Sequence, residues 1–535
     1  MKKVFVSKKF FVLLLSALFI FISACSANPT LENNESAGEL SEYENAHEVP
    51  EDGGILRLSF VGIQNLNPLL VKNQNNLYVL KLIFDGLFQV SPNDFAEPVL
   101  CDRYVISPDG INYEFVIKQG IKFHNGASLS ARDVDASLSL ILNGEGIYKN
   151  KLAGIASHSY SGNSLFITLN QPIVNFISLL DFPILSADDL SGNWDQYVPN
   201  GTGRYKVQSY KINKELYLSK NENYYKPFSP HISEISVTFV KDSATAVSML
   251  ENFQIDLLPS DVMDPSSYTP KRSLTSTEIS GGRFTFLGIN NQHIALLSPK
   301  TRQAISYAIN REDVLQQSSV QYATITDLPF TKHSFWYNNQ LPDPIFNKEL
   351  ANQLLVDDGW HDTDGDGLLD KTIYGEKADL SISILVNANN APKLKTAEAV
   401  SKYLNDAGIK TYVDAVSFDD YQTRINEGSF HLFIGETSFS ANYDLSFLLK
   451  TDQNVCGISN EKIDQALNAL VYQESPSIKQ KLFYELCEVL KNETQIAGLY
   501  FENRILIFDQ RIKGDITPSN TDIFYGIENW FISQN

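Results

Sequence analysis

Residues 362–370, DTDGDGLLD, are the one run in this 535-residue chain spaced to hold a hard cation. Asp362, Asp364, Asp366 and Gly367 match the opening of an EF-hand loop. The twelfth position, which must supply a bidentate carboxylate, is Ile373, and no strong helix leads in on the correct register. A polar turn between strands is the better expectation. Neither H-E-x-x-H nor G-x-S-x-G occurs, NGTGRYKV has two glycines but no third, and no Walker-type loop is present. The eight histidines are scattered. No catalytic residue, metal or cofactor is therefore expected, and the chain does not read as an enzyme.

The four cysteines are Cys25, Cys101, Cys456 and Cys487, too few and too dispersed for a disulfide framework. Cys487 falls within a helical apolar period and reads as core; a Cys456–Cys487 bridge stays open if the location is oxidising. Cys25 is different. Lys2, Lys3, Lys8 and Lys9 precede an uncharged apolar run, Phe10 to Ile22. Its helix would rise only ~20 Å against a hydrocarbon layer of ~30 Å, so an export signal is favoured over a permanent span. Ser23 and Ala24 before Cys25 resemble the lipobox of bacterial lipoproteins. That resemblance implies a diacylglycerol on Cys25, cleavage before it, and two acyl chains holding the protein to the membrane. Residues 26–52 carry eight acidic residues and no Lys or Arg, so they are expected to form a disordered tether.

From Gly53 onward the pattern is that of an α/β body of more than one domain. GGILRLSF (53–60) and NSLFITLN (163–170) read as strands, and YEFVIKQGIKF as paired half-buried strands that resume at Ile121 and Phe123. The clearest block alternates strand and helix: strand 379–386, helix 393–407 stopped by Gly408, strand 409–416, helix 418–428, strand 430–435. That order requires a parallel sheet with right-handed crossovers, and ligands of such sheets bind beyond the carboxyl ends of the strands. The loop ETSFSANYD (436–444) is thereby nominated as a ligand edge. Helices 461–474 and 476–492 follow. A formal charge of −20 argues against nucleic acid and against broad contact with anionic lipid. The 32 Phe and 25 Tyr suit large cores and apolar grooves.

SPDGINYEFVIKQGIKFHNGASLSARDVDASL (107–138) and FTFLGINNQHIALLSPKTRQAISYAINREDVL (284–315) resemble the extracellular solute-binding proteins of the peptide/nickel class, family 5. GGILRLSF, LNPLL, FDGLF, GTGRY and LLVDDGWHDTDGDG fall in the same order, so the likeness spans most of residues 53–535. In the second motif Ser298-Pro299 can open a helix whose apolar face is Ile305, Ala308 and Ile309. The resemblance implies a two-lobed periplasmic-binding-protein-like fold with a hinge: signal peptide 1–25, tether 26–52, lobe I from 53–80, 200–289 and 501–535, an inserted subdomain 81–199, and lobe II 290–500. The crossings would lie at Asn290 and near Tyr500.

The resemblance also implies a ligand-facing set. Lys72 and Gln74 would face the groove after the first strand, and Phe284, Phe286 and Gly288 would share one strand face. Glu436, Thr437, Ser438, Phe439, Ser440, Asn442 and Asp444 would form the gripping loop, with Tyr500 at a crossing. Here the chain departs from its relatives. Oligopeptide-binding members carry an aspartate for the peptide's amino group where this chain has Ser440, and the usual tryptophan is replaced at Thr437 or Ser438. Serine lacks the charge to compensate a desolvated ammonium. Either Glu436 or Asp444 takes over, or the ligand has no free amine; Lys72 would favour a ligand carboxylate.

The expected function is capture of peptides by a monomeric, lipid-anchored binding protein on the outer face of the cell membrane, with delivery to the permease subunits of an ABC importer. The Asn- and Lys-rich composition leans toward a Gram-positive source; in a Gram-negative cell the site would be periplasmic. Alternatives are a sensor of signalling peptides, a receptor for nickel chelates, opines or sugars, and, remotely, a lipid-anchored hydrolase.

Overall fold

The computed structural model describes residues 50–61, 66–72, 74–190, 194, 197–226, 230–259, 274–342, 345–473 and 475–533. Cys25, the leader and nearly all of the tether lie outside the described residues. No described helix is long and apolar enough to cross a membrane.

Two long antiparallel strands organise the body: Leu274–Ile289, of 16 residues, and Ile496–Asp509, of 14. Each rises ~3.3 Å per residue, so each is about 50 Å long, far beyond an ordinary strand. They form the middle of an 11-stranded mixed sheet. On one side of the pair lie Leu432–Ser438, Ser381–Asn387 and Lys410–Val416. On the other lie Leu257–Pro259, Ile55–Val61, Glu234–Val240, Glu215–Lys220 and Tyr205–Lys211. The sheet thus has two halves with separate apolar clusters, one around Leu58, Val237 and Trp530, the other around Ile305, Ile384 and Leu432.

The second half is the α/β block expected from the sequence. Ser381–Asn387 pairs in parallel with both Lys410–Val416 and Leu432–Ser438. Five consecutive residues of Ser381–Asn387 are buried, as a parallel strand covered on both faces requires. The crossover helix Ala391–Asp406 starts where the Asn390 side chain accepts the Lys393 N–H, and ends before Gly408, which sits at φ +82°. Helices Glu461–Tyr472 and Pro476–Glu493 follow, and Cys487 is buried in the latter. Ser298 and Pro299 open the helix Pro299–Ala308, which buries Ile305 and Ala308.

Two local expectations change. Leu432–Ser438 runs three residues further than its apolar pattern, because Glu436, Thr437 and Ser438 pair with Thr285, Phe284 and Arg283. Residues 436–438 are strand, and the loop begins at Phe439. Ile121 and Phe123 are buried but belong to no strand. Gly120 turns the chain at φ +81°, and residues 122–128 fold into a tight turn held by a single bridge, Lys122 to Ser128. The true partners of Asn112–Ile117 are Cys101–Ile106 and Ser164–Leu169, in a separate four-stranded sheet.

Cys101, Cys456 and Cys487 are buried free thiols, with no bridge between the last two. The acidic run is a turn leading into the hairpin Asp370–Ile373 and Glu376–Asp379. Asp362 accepts the Gly365 and Gly367 N–H groups, and Lys377 places its ammonium against Asp364, with Asp370 at 3.7 Å and Asp379 at 3.6 Å.

Candidate functional site

The strand Ile496–Asp509 is buried at both ends and opens in the middle, at Glu502, Asn503 and Arg504. Its neighbour has a register shift between Ile279 and Arg283 at the same level. Gly281 there adopts φ +84°, and a Cβ on Gly282 would lie 2.1 Å from the Glu502 carbonyl oxygen. The backbones approach this closely because residue 282 is glycine. Above this point lies a cleft of about 990 Å³, near the upper limit of small-molecule sites.

One wall comes from the first half and its attached segments: Val90, Asp94, Lys151, Arg504, Asn520 and Thr521. The other comes from Ser319–Tyr322, Asn390, Pro392, Lys393, Glu436 and 438–441. Asn390 to Lys393 follow the carboxyl end of Ser381–Asn387, and 438–441 follow that of Leu432–Ser438. It is the edge nominated from strand order.

A balanced charge cluster lies on the floor. Lys393 is almost wholly buried, and its three N–H donors meet three oxygens: Thr285 Oγ1 at 2.5 Å, Glu436 Oε2 at 2.7 Å and Glu502 Oε1 at 2.8 Å. Burial alone would lower its pKa; the Tyr500 phenol, Glu502 and Glu436 outweigh burial and raise it. The Tyr500 ring lies 5.3 Å from the ammonium. Arg283 reaches Glu502 Oε2 at 2.5 Å and Glu436 Oε1 at 3.6 Å, and the two carboxylates raise its pKa against the opposing effect of burial. Two cations therefore neutralise two carboxylates. Arg504 donates to the Tyr78 hydroxyl and to the Asn520 carbonyl at 2.8 Å.

Asp94 stands on the facing wall, in the turn joining Phe88–Val90 to Ala96–Pro98, at φ +64°. Its carboxylate accepts the Tyr443 hydroxyl at 3.0 Å and a Ser334 side-chain hydrogen bond. Burial pushes its pKa up to about 6, and these two bonds offset only part of the rise. Tyr443 also lines the cleft, and its N–H closes a turn onto the Ser440 carbonyl at 2.9 Å.

Of the residues nominated from sequence, Glu436, Ser438, Phe439 and Ser440 line this cleft. Lys72, Phe284, Phe286, Gly288, Thr437, Asn442, Asp444 and Tyr500 do not line it. Phe284 and Phe286 stack on each other at 5.4 Å and are buried in an aromatic core that continues through Phe501 and Phe439. Gly288 packs against Phe433, whose ring lies 2.1 Å from where a Cβ would be. Tyr500 is buried beneath Lys393, with its hydroxyl 3.1 Å from Thr396. Thr437 pairs with Phe284, Asn442 is buried with its carbonyl accepting Asn175 Nδ2 at 3.0 Å, and Asp444 accepts the Ser446 N–H. Lys72 is exposed and paired with exposed Glu145 at 2.8 Å, and the Gln74 side chain lies outside the described residues.

Sequence reading missed Asp94, Arg283, Lys393, Glu502 and Arg504. The polar break ENR within the apolar strand 496–509 was a usable signal for two of them; nothing local marked Asp94.

A model of the bacterial extracellular solute-binding proteins, family 5 middle, matches residues 96–455. The oligopeptide-binding protein AppA of Bacillus subtilis is 22% identical, covering 97% of this chain and 98% of that one. Heme-binding protein A of Haemophilus influenzae is 23% identical, over 81% and 84% of the two chains. Among solved structures, the unliganded open form of the periplasmic murein tripeptide-binding protein MppA gives a TM-score of 0.75 at 16% identity, covering 90% of this chain and 98% of that one. HbpA2 from Haemophilus parasuis gives 0.70 at 21% identity, covering 86% and 96%. With the same mixed sheet and a matching family model across most of its length, this chain belongs to the family 5 bacterial extracellular solute-binding proteins.

Proposed function

We propose that the chain captures a peptide, or a solute of similar size, in this cleft and delivers it unaltered to an ABC importer. The observation that carries the reading is the cleft itself: 990 Å³, walled from both halves of the sheet and centred where the two long strands cross between them. The halves then act as lobes, with 53–80, 200–289 and 501–535 in the first, 81–199 inserted, and 290–500 in the second. Gly281 and Gly282 provide the flexure for closure over a guest. A diacylated Cys25 and the 26–52 tether keep this monomer beside its permease, outside the membrane. The names of the relatives support a peptide or metal-chelate class of ligand: oligopeptide, glutathione and heme binding are all represented.

One observation favours a second reading, a non-peptide solute or a sensed signal. Glu436, a candidate for the missing amine anchor, is already held by Lys393 and Arg283. Calorimetry of the full chain with a tri- to pentapeptide mixture separates the two. Heat of binding, with a more compact scattering profile, is the expected outcome. No heat from any peptide, together with tight binding of a non-peptide solute, selects the second reading.

A further inference from the structure

Among the described residues the cleft holds three carboxylates, and cations pair with two of them. Glu436 and Glu502 are neutralised by Lys393 and Arg283. Asp94 is met by hydroxyls, from Tyr443 and Ser334, and among the described residues no Lys, Arg or His forms an ion pair with it. The other cations of the cleft wall are engaged elsewhere: Lys151 lies over the Tyr148 ring at 5.2 Å, and Arg504 is bound to Tyr78 and Asn520. Tyr443 is the titratable group packed against Asp94, with Phe335 and the turn residues Asn93 and Phe95 around it. A carboxylate in such a place is costly when ionised and alone, and favourable beside a positive charge that has also left water.

We propose that Asp94 is the ion-pair anchor for a cationic nitrogen of the ligand, a primary ammonium such as a peptide's amino terminus. The proposal deepens the solute-binding reading above and rests on it. It also accounts for Ser440. Tyr443, which donates to Asp94, closes its turn onto the Ser440 carbonyl, so Asp94 brings its charge from the opposite wall to the corner where position 440 lacks one. The raised pKa agrees with a carboxylate lacking its counter-ion.

The test compares a tri- to pentapeptide mixture, its N-acetylated counterpart, putrescine and spermidine, on the full chain and on Asp94→Asn. Asparagine still accepts the Tyr443 hydrogen bond but has no charge. The wild type should bind the free-amine peptides roughly ten- to a hundredfold tighter than the acetylated ones, and Asp94→Asn should erase that ratio through loss of free-amine affinity alone. Tyr443→Phe, which removes a hydrogen bond and no charge, should keep it. Free-amine affinity should also fall about tenfold between pH 7 and pH 5, as Asp94 protonates, with acetylated peptides unaffected. An unchanged ratio in Asp94→Asn overturns the anchor, and so does a full panel, with solutes retained through purification, containing no cationic nitrogen that binds. A retained amine that is not a peptide, and that Asp94→Asn releases, sustains the anchor while removing the peptide reading.

Discussion

Lys393 and Asp94 lie in one cleft and illustrate opposite treatments of a desolvated charge. Lys393 has as many oxygen acceptors as donors, so its burial is compensated from within the protein and its ionised form is favoured. Asp94 has hydroxyl donors only, so its ionised form is disfavoured and its pKa moves from 3.8 to about 6. Between those two values the folded state binds more protons than the unfolded chain, so Asp94 makes the protein less stable as pH rises through that window. Above it the cost is constant. Discounting for partial exposure leaves about 1–2 kcal/mol, which Asp94→Asn should recover at pH 7.5 and no longer show near pH 4. Urea midpoints of the two proteins measured from pH 4 to 8 would show this; a variant less stable than wild type at neutral pH would mean that Asp94 is compensated. A residue that costs stability in the empty protein is what a binding site retains for a ligand.

The elements divide sharply in how openly the sequence declares them. Ser381 to Ser438 was legible because 379–386 alternates, 393–407 places apolar residues at helical spacing, and Gly408 marks a left-handed stop. Of the cleft only the 436–440 edge was, since the other charges sit in a turn at 94, on two strands at 283 and 502 and on a helix at 393, and are gathered only by the tertiary fold. Strand parity explains the aromatic pair. A shift of one residue moves a whole set of side chains to the other face. On Leu274–Ile289 that places Phe284 and Phe286 in the core while Arg283 and Thr285 meet the charge cluster. The glycine pair at 281–282 belongs to this scale too. In Gly282→Val the new Cβ would meet the backbone of the paired strand, which cannot rotate away as a side chain would. A loss of about 2 kcal/mol is expected, with ligand heat reduced as the two strands are forced apart where the cleft opens. Chemical denaturation and calorimetry on one preparation would check both; wild-type stability and affinity would show that the strands separate freely there.

Across the whole molecule, the 81–199 segment bridges the cleft by touching the second half directly. Asn175 donates to the Asn442 carbonyl, the Phe335 N–H donates to the Asn93 carbonyl at 2.8 Å, Tyr443 donates to Asp94, and the Phe95 and Phe335 rings lie 5.0 Å apart. Val174 is buried in the same apolar cluster as Phe284, Phe330 and Tyr443. Under the closure proposed above these contacts would break as the halves part, and they would then set the balance between closed and open forms before any ligand arrives. Phe335 belongs to this interface and does not line the cleft, which makes it the residue that separates closure from recognition. Phe335→Ala should lower the closed population, and apparent affinity falls by the same factor. A loss of about 1.4 kcal/mol in the contact shifts the closed–open equilibrium tenfold and weakens binding by at most that factor. Small-angle scattering of the unliganded variant should show a larger radius of gyration, and saturating ligand should restore the wild-type profile. Weaker binding with an unchanged unliganded profile would place Phe335 in recognition instead, and the hairpin around Asp94 would then be a wall of the site with no part in shutting it.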